Sequence, residues 1–254
     1  MPSDFDPGLK VQWAKRHLDV LTEYVLKFQA ENHYTLTTEE DATSGLFIIE
    51  TRVPHNDMVF TIALIMGDFV NCLRSSLDHL AWQLALNGGR TPTRDTCFPI
   101  CEKDTVDVQI KIAKSTFGFP DEAVSIVKSL QPYKSGDDYR KAHLWRLNLL
   151  WNIDKHRHIM PHSVVSGWQF RLDSPPSGMF PDGRMPVQNE ELPDGVKMKL
   201  PLSIKNYIVV NPEPTPLEIK FGSREDGIEM DLSDLMEMYE FVKSLLPMFA
   251  PFLQ

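Results

Sequence analysis

The segment from Met58 to about Leu86 constrains this chain most, because it is strongly apolar at helical period and yet carries Asp68, Arg74, Asp78 and His79. Lone charges are costly to bury unless they are paired or put to use. A second apolar segment carries Asn152-Ile153-Asp154-Lys155-His156-Arg157-His158, again joining Asp, His and Arg within about two helical turns. Two such segments imply a helical bundle with one polar seam between two of its helices. That seam is either a salt-bridge lock or an active site.

The remaining organisation follows from period and punctuation. Val11, Ala14, Leu18, Leu21, Val25 and Phe28 recur at three and four, predicting an amphipathic helix over Leu9–Gln29. Leu46 to Val53, bounded by Gly45 and Pro54, pairs with Tyr34 to Thr38 as an antiparallel hairpin. Asn56 or Asp57 caps the long helix, and Asn87-Gly88-Gly89 stops it. Shorter helices are expected over Val106–Ser115 and Pro120–Leu130. A second central helix is expected from Asp138 to Ile159, ended by Pro161. Short β-type runs at Val164–Leu172, Val196–Leu200, Tyr207–Val210 and Leu217–Phe221 follow, with a long loop over Asp173–Asp194. Asp231 caps a last helix that runs to Phe249. Trp82, Trp145, Trp151 and Trp168 are read as core. The expected fold class is α+β, one domain over residues 1–254. A helical bundle over 9–160 and 231–252 carries an N-terminal β-hairpin and a β-rich insertion over 163–230.

Composition removes several functions. A formal net charge of −9 argues against an extended nucleic-acid surface, and no DNA-binding surface is evident. Three cysteines, Cys72, Cys97 and Cys101, do not make a disulfide framework. The first residues lack a basic and an apolar region, so no signal peptide is expected. The uninterrupted apolar run Met58 to Gly67 is too short to span a bilayer. A cytoplasmic protein without membrane partners is the expectation. The chain shows no Walker loop, dinucleotide fingerprint or nucleophile elbow, and no cofactor is expected.

On the long helix Asn71, Arg74 or Ser75, and Asp78 share a face, and His79 borders the same groove. Arg74 offers a planar cationic fork for phosphate or carboxylate, and His79 can move a proton near neutral pH. From the other helix, Asn152, Asp154 or His156 could complete or brace this group. A carboxylate held on the imidazole would fix its tautomer. Against this stands the simpler reading, in which Arg74 pairs with Asp78 or Asp154 and the cations after Asp154 serve the helix C-terminus. A third arrangement would use Asp78, His79, Asp154, His156, His158 and His162 as nitrogen and oxygen ligands of a divalent metal; no metal-binding motif spacing supports it, and no metal site is expected.

Arg74-Ser75-Ser76-Leu77-Asp78-His79, an Arg-x4-His motif on a bundle helix, resembles the HEPN superfamily of helical-bundle proteins. A longer pattern resembles a family of uncharacterised bacterial proteins: Gly67-Asp68, Asn71-x2-Arg74-Ser75-x-Leu77-Asp78-His79-Leu80, Phe98-Pro99-Ile100 and Ile153-Asp154-Lys155-His156-Arg157. The HEPN resemblance implies a metal-independent endoribonuclease of a defence or toxin–antitoxin type. His79 would act as general acid and base, and Arg74 would hold the scissile phosphate with Asp78 beside it. It also implies RNA as substrate, with a homodimer or an antitoxin-like protein as partner. The alternatives are a non-catalytic interaction module with a structural polar seam, and a metal-dependent hydrolase.

Overall fold

Six apolar residues three and four apart are enough to bury one face of the first helix, α1 (Pro7–Glu31), and all six predicted positions from Val11 to Phe28 are buried. The computed structural model describes residues 6–52, 57–165, 170–172, 188–192, 195–210, 215–223 and 227–253. After α1 come β1 (His33–Asp41), β2 (Leu46–Arg52), α2 (Met58–Asn87), α3 (Val106–Ser115), α4 (Asp121–Ser129) and α5 (His143–His156). Then follow β3 (Pro161–Val165), β4 (Phe170–Leu172), β5 (Gln188–Leu192), β6 (Gly195–Pro201), β7 (Ile208–Val210), β8 (Thr215–Ser223), β9 (Ile228–Met230) and α6 (Leu232–Phe249). The class is α+β with a helical majority, and the chain divides into two compact units.

The helical unit comprises residues 1–24, 59–161 and 220–254. Its centre is α2, whose Ile62, Met66, Phe69, Leu73, Leu77 and Leu80 are fully buried. Taken whole, unlike its first apolar run, α2 is long and apolar enough by length and composition to cross a membrane. Half of that window is buried within the chain. Its proposed cap Asn56 lies outside the described residues. The α3 helix is capped by Thr105, whose hydroxyl accepts the Val108 N–H. The α6 helix is capped as expected by Asp231, which exchanges hydrogen bonds with Asp234 in a capping box. The Ser233 hydroxyl, with Lys220 and the Asp234 N–H behind it, holds the Asp231 carboxyl well below the usual carboxylate range.

The second unit comprises residues 25–58 and 162–219. Its sheet runs in the order β3-β8-β1-β2-β6-β5, and β4 and β7 form a separate pair. The hairpin register sets Thr35 opposite Arg52 and Asp41 opposite Leu46. Its turn is made by Asp41, which accepts the Thr43 and Ser44 N–H groups, and by Gly45 at φ +69°. Phe47, Ile49, Met198, Leu200 and Ile204 form the core of this unit. Met198 and Leu200 alternate with half-buried neighbours along β6, the period-two pattern of a strand, whereas in β2 Ile48 is buried along with Phe47 and Ile49.

Three expectations need correction. The second central helix does not begin at Asp138: residues Pro132–Lys141 form 3-10 turns, Gly136 sits at φ +56°, and extended Ala142 separates them from α5. Nor does it reach Ile159, because Arg157 is already extended (φ −160°, ψ 157°) and Pro161 opens a strand rather than closing a helix. Within the expected loop Asp173–Asp194, Gln188–Leu192 pairs with β6, and residues 173–187 and 193–194 lie outside the described residues. Trp168 lies outside them as well.

Candidate functional site

Arg74 is the centre of the polar seam and is only 5% exposed. Helical spacing brings Asp78 one turn further along the same face, and Arg74 Nη1 donates to Asp78 Oδ1 at 2.7 Å. Nη2 donates to the Phe98 carbonyl at 3.0 Å. The same Asp78 oxygen accepts the Phe98 N–H at 3.0 Å, so the Arg–Asp pair clasps both backbone groups of one loop residue. Buried backbone groups need such partners, and here the side chains of a helix supply them. The loop is held from its other side by Gln131. Its amide donates to the Pro99 carbonyl at 2.8 Å and its Oε1 accepts the Cys101 N–H at 3.0 Å.

From α5 the partner of Arg74 is Trp151, whose ring centroid lies 5.0 Å from the guanidinium carbon. The Lys155 ammonium lies 2.9 Å from the same ring centroid. Partial burial, and then the charge of Arg74, hold the Lys155 amine below its ordinary range. Further along, the Asp154 carboxylate packs against Gly67, where a Cβ would collide with it. Helices α2 and α5 therefore run antiparallel here, with Gly67 opposite Asp154 and Arg74 opposite Trp151. Arg74 Nε is buried without a hydrogen-bond partner.

The remaining expected site residues are spread around this lock. Asn71, Asn152 and His156 are exposed, and Ser75 is half-buried. The α5 contacts to Arg74 come from Trp151 rather than from Asn152 or His156. His79 is half-buried; burial first, and then Lys10, hold its imidazole below the ordinary range, against the opposing pull of Asp78. Trp82, read as core, is 44% exposed. Trp145 is buried and donates its indole N–H to Glu102 at 3.0 Å. Among the described residues no group of three His, Cys, Asp or Glu side chains is placed to hold a metal ion. Gln131 carries the seam without being singled out from sequence, and Phe98, Trp151 and Lys155, noted there as motif or core residues, are not read there as partners of Arg74. Their only sequence signals are the Phe98-Pro99 pair and the helical spacing of Trp151 and Lys155.

Burial raises the Asp154 carboxyl above its usual range, with Asp68 adding to the rise and His158 opposing it. A folded-state pKa above the unfolded one means that the charged form opposes folding, so stability falls as pH rises through the carboxylate range. Asp154→Asn is therefore expected to raise the melting temperature at pH 7 and to have little effect near pH 3. Thermal unfolding at the two pH values reads this directly; an equal shift at both would reject the assignment.

Compared with protein-family models, curated proteins and solved structures, the chain matches none.

Proposed function

We infer that this chain is a HEPN-like helical-bundle protein working as a non-catalytic, homodimeric interaction module, with its Arg-x4-His motif turned into a structural lock. The observation that carries this reading is the burial of Arg74. Both of its terminal nitrogens are occupied, by Asp78 and by the Phe98 carbonyl, and Trp151 lies on its face. A guanidinium so engaged cannot present its fork to a scissile phosphate without breaking the clasp. Active members of the superfamily commonly carry Asn, Asp or His immediately after the arginine, where this chain has Ser75.

A homodimer is supported by the surface. Leu9, Trp13 and Val20 are exposed on α1, and Phe60, Leu64 and Trp82 on α2. Lys10 of α1 is within electrostatic reach of Cys72 and His79 of α2, so this part of α1 lies near α2. Exposed apolar stripes of this kind mark an association surface.

Catalysis remains the second reading, supported by His79, whose lowered pKa keeps the imidazole neutral and able to accept a proton at pH 7. One assay separates the readings. The purified chain, Arg74→Lys and His79→Ala are incubated with single-stranded RNA in excess EDTA. All three are expected to leave the RNA intact. EDTA-resistant cleavage with cyclic phosphate ends, lowered about a hundred- to ten-thousand-fold by His79→Ala, would establish the ribonuclease instead. Cleavage that appears only without EDTA would point to the metal-dependent hydrolase.

A further inference from the structure

The α3 helix buries Ile112 but leaves a second apolar side exposed. Val106 is 77% exposed, Ile110 49% and Phe117, just past the helix, 59%, with Ala113 exposed between them. Val106, Ile110 and Ala113, spaced by four and three, lie along one line of the helix, and Phe117 stands in the turn beyond its end. The opposite side, through Ile112 and Ser115, is the buried one. Thr93 and Asp95 form a wall beside this line, making an open groove lined also by Ile110, Ala113, Lys114 and Phe117.

The groove is fixed before anything enters it. Its wall is a turn closed by the Thr96 N–H on the Thr93 carbonyl and by the Thr93 N–H on the Thr96 hydroxyl, both at 3.0 Å. Phe117 is steadied by Arg90, whose guanidinium carbon lies 5.2 Å from the ring centroid. Gly118, at φ +92°, leaves room for the Arg90 stem, where a Cβ would collide with it. A preformed surface loses little freedom on binding.

Its charge selects the occupant. Lys114 lines the groove, Arg90 stands on Phe117 and Arg94 lies between Thr93 and Asp95 of the wall, against one carboxylate in the lining, Asp95; none of the three cations has an ion-pair partner among the described residues. This local excess of cations stands on a chain whose formal net charge is −9. Two aliphatic side chains on the helix and one phenyl ring just beyond its end match the apolar ridge of another helix. Successive nucleotides would instead call for several stacking rings.

We propose that the α3 groove docks an amphipathic helix of a partner protein, one whose apolar ridge is flanked by acidic side chains. Val106, Ile110 and Phe117 take the ridge, and Arg90 and Lys114 meet the flanking carboxylates.

The test uses the full chain and two designed helical peptides of about four turns. They share one leucine ridge and differ only in carrying Glu or Lys beside it. Fluorescence anisotropy is expected to show saturable binding of the Glu peptide, at least about tenfold tighter than the Lys peptide and weakened by added salt. Ile110→Glu and Lys114→Glu should each weaken it by at least about tenfold. Both positions are exposed, and unchanged far-ultraviolet circular dichroism establishes that the variants fold. Equal binding of both peptides, no binding, or binding unmoved by Ile110→Glu would overturn the proposal. So would tighter binding of a single-stranded RNA than of the Glu peptide. Self-association of the chain abolished by Val106→Asp would likewise overturn it, by assigning the groove to a second copy.

Discussion

Arg74→Ala is expected to lower the unfolding free energy by about 3 kcal/mol, the low end of what breaking a buried ion pair costs. The low end applies because Asp78 keeps a third of its side chain exposed and can recover water. Three separate losses contribute. Asp78 loses its cation, the Phe98 carbonyl loses its donor, and Trp151 loses the guanidinium beneath its ring. Asp78→Ala removes the same pair and also strands the Phe98 N–H. In a double-mutant cycle the two substitutions are therefore expected to be less than additive, with a coupling of about 1–3 kcal/mol.

The apolar pair Arg74→Met with Asp78→Leu should not restore stability, although apolar replacements of buried ion pairs often do. Here the pair satisfies two backbone groups of Phe98, and each would be left without its partner at about 1–3 kcal/mol. Urea unfolding of the unaltered chain and the four variants measures these differences. A loss below about 1 kcal/mol for Arg74→Ala would mean that the clasp adds no more than an ordinary surface pair. Arg74 would then be free to serve a ligand, and the non-catalytic reading would lose its main support.

Much of this architecture is written in local pattern. The bounds of α2, α3 and α6 follow from apolar period and from residues that cap or stop helices, such as Asp231 and Asn87-Gly88. The hairpin β1–β2 follows from β-branched runs around a turn containing Gly45. The polar residues of the seam could be singled out because Arg74 and Asp78 are charged within an apolar helix. Their partner could not, because it is the backbone of Phe98, and every residue carries the same N–H and C=O. Trp151 and Trp82 look alike in sequence, both tryptophans on apolar helices. Only packing decides that one covers Arg74 while the other is exposed. The start of α5 is hidden for a related reason: the polar residues before it suit a helix or a loop, and the extended backbone of Ala142 settles the matter.

Trp13→Glu together with Leu64→Glu is expected to leave the chain monomeric at concentrations where the unaltered chain is a dimer. On α2, Phe60, Leu64, Asn71, Ser75 and Trp82 fall within an arc of about 60°, outside the arc that feeds the core. Trp13 is 49% exposed and Leu64 58%, so a carboxylate at either position remains solvated in the monomer. In a dimer meeting on this face, each would become a buried charge without a partner. Removing a central tryptophan anchor alone typically costs at least about 2 kcal/mol, a factor of roughly thirty in the dissociation constant. Both substitutions together should raise it by about a thousandfold if they act independently. Sedimentation equilibrium across the micromolar range measures the constant, and Val106→Asp, on α3 rather than on α1 or α2, should leave it unchanged. A dimer surviving both glutamates would place the contact elsewhere. An unaltered chain that is monomeric throughout would leave Leu9, Trp13, Val20, Phe60, Leu64 and Trp82 exposed in solution, and the homodimer would be withdrawn. If the dimer forms as expected, Asn71 and Ser75 lie in its interface. Their polar side chains must then find partners across the two-fold axis, because a buried amide or hydroxyl left unpaired would weaken the association.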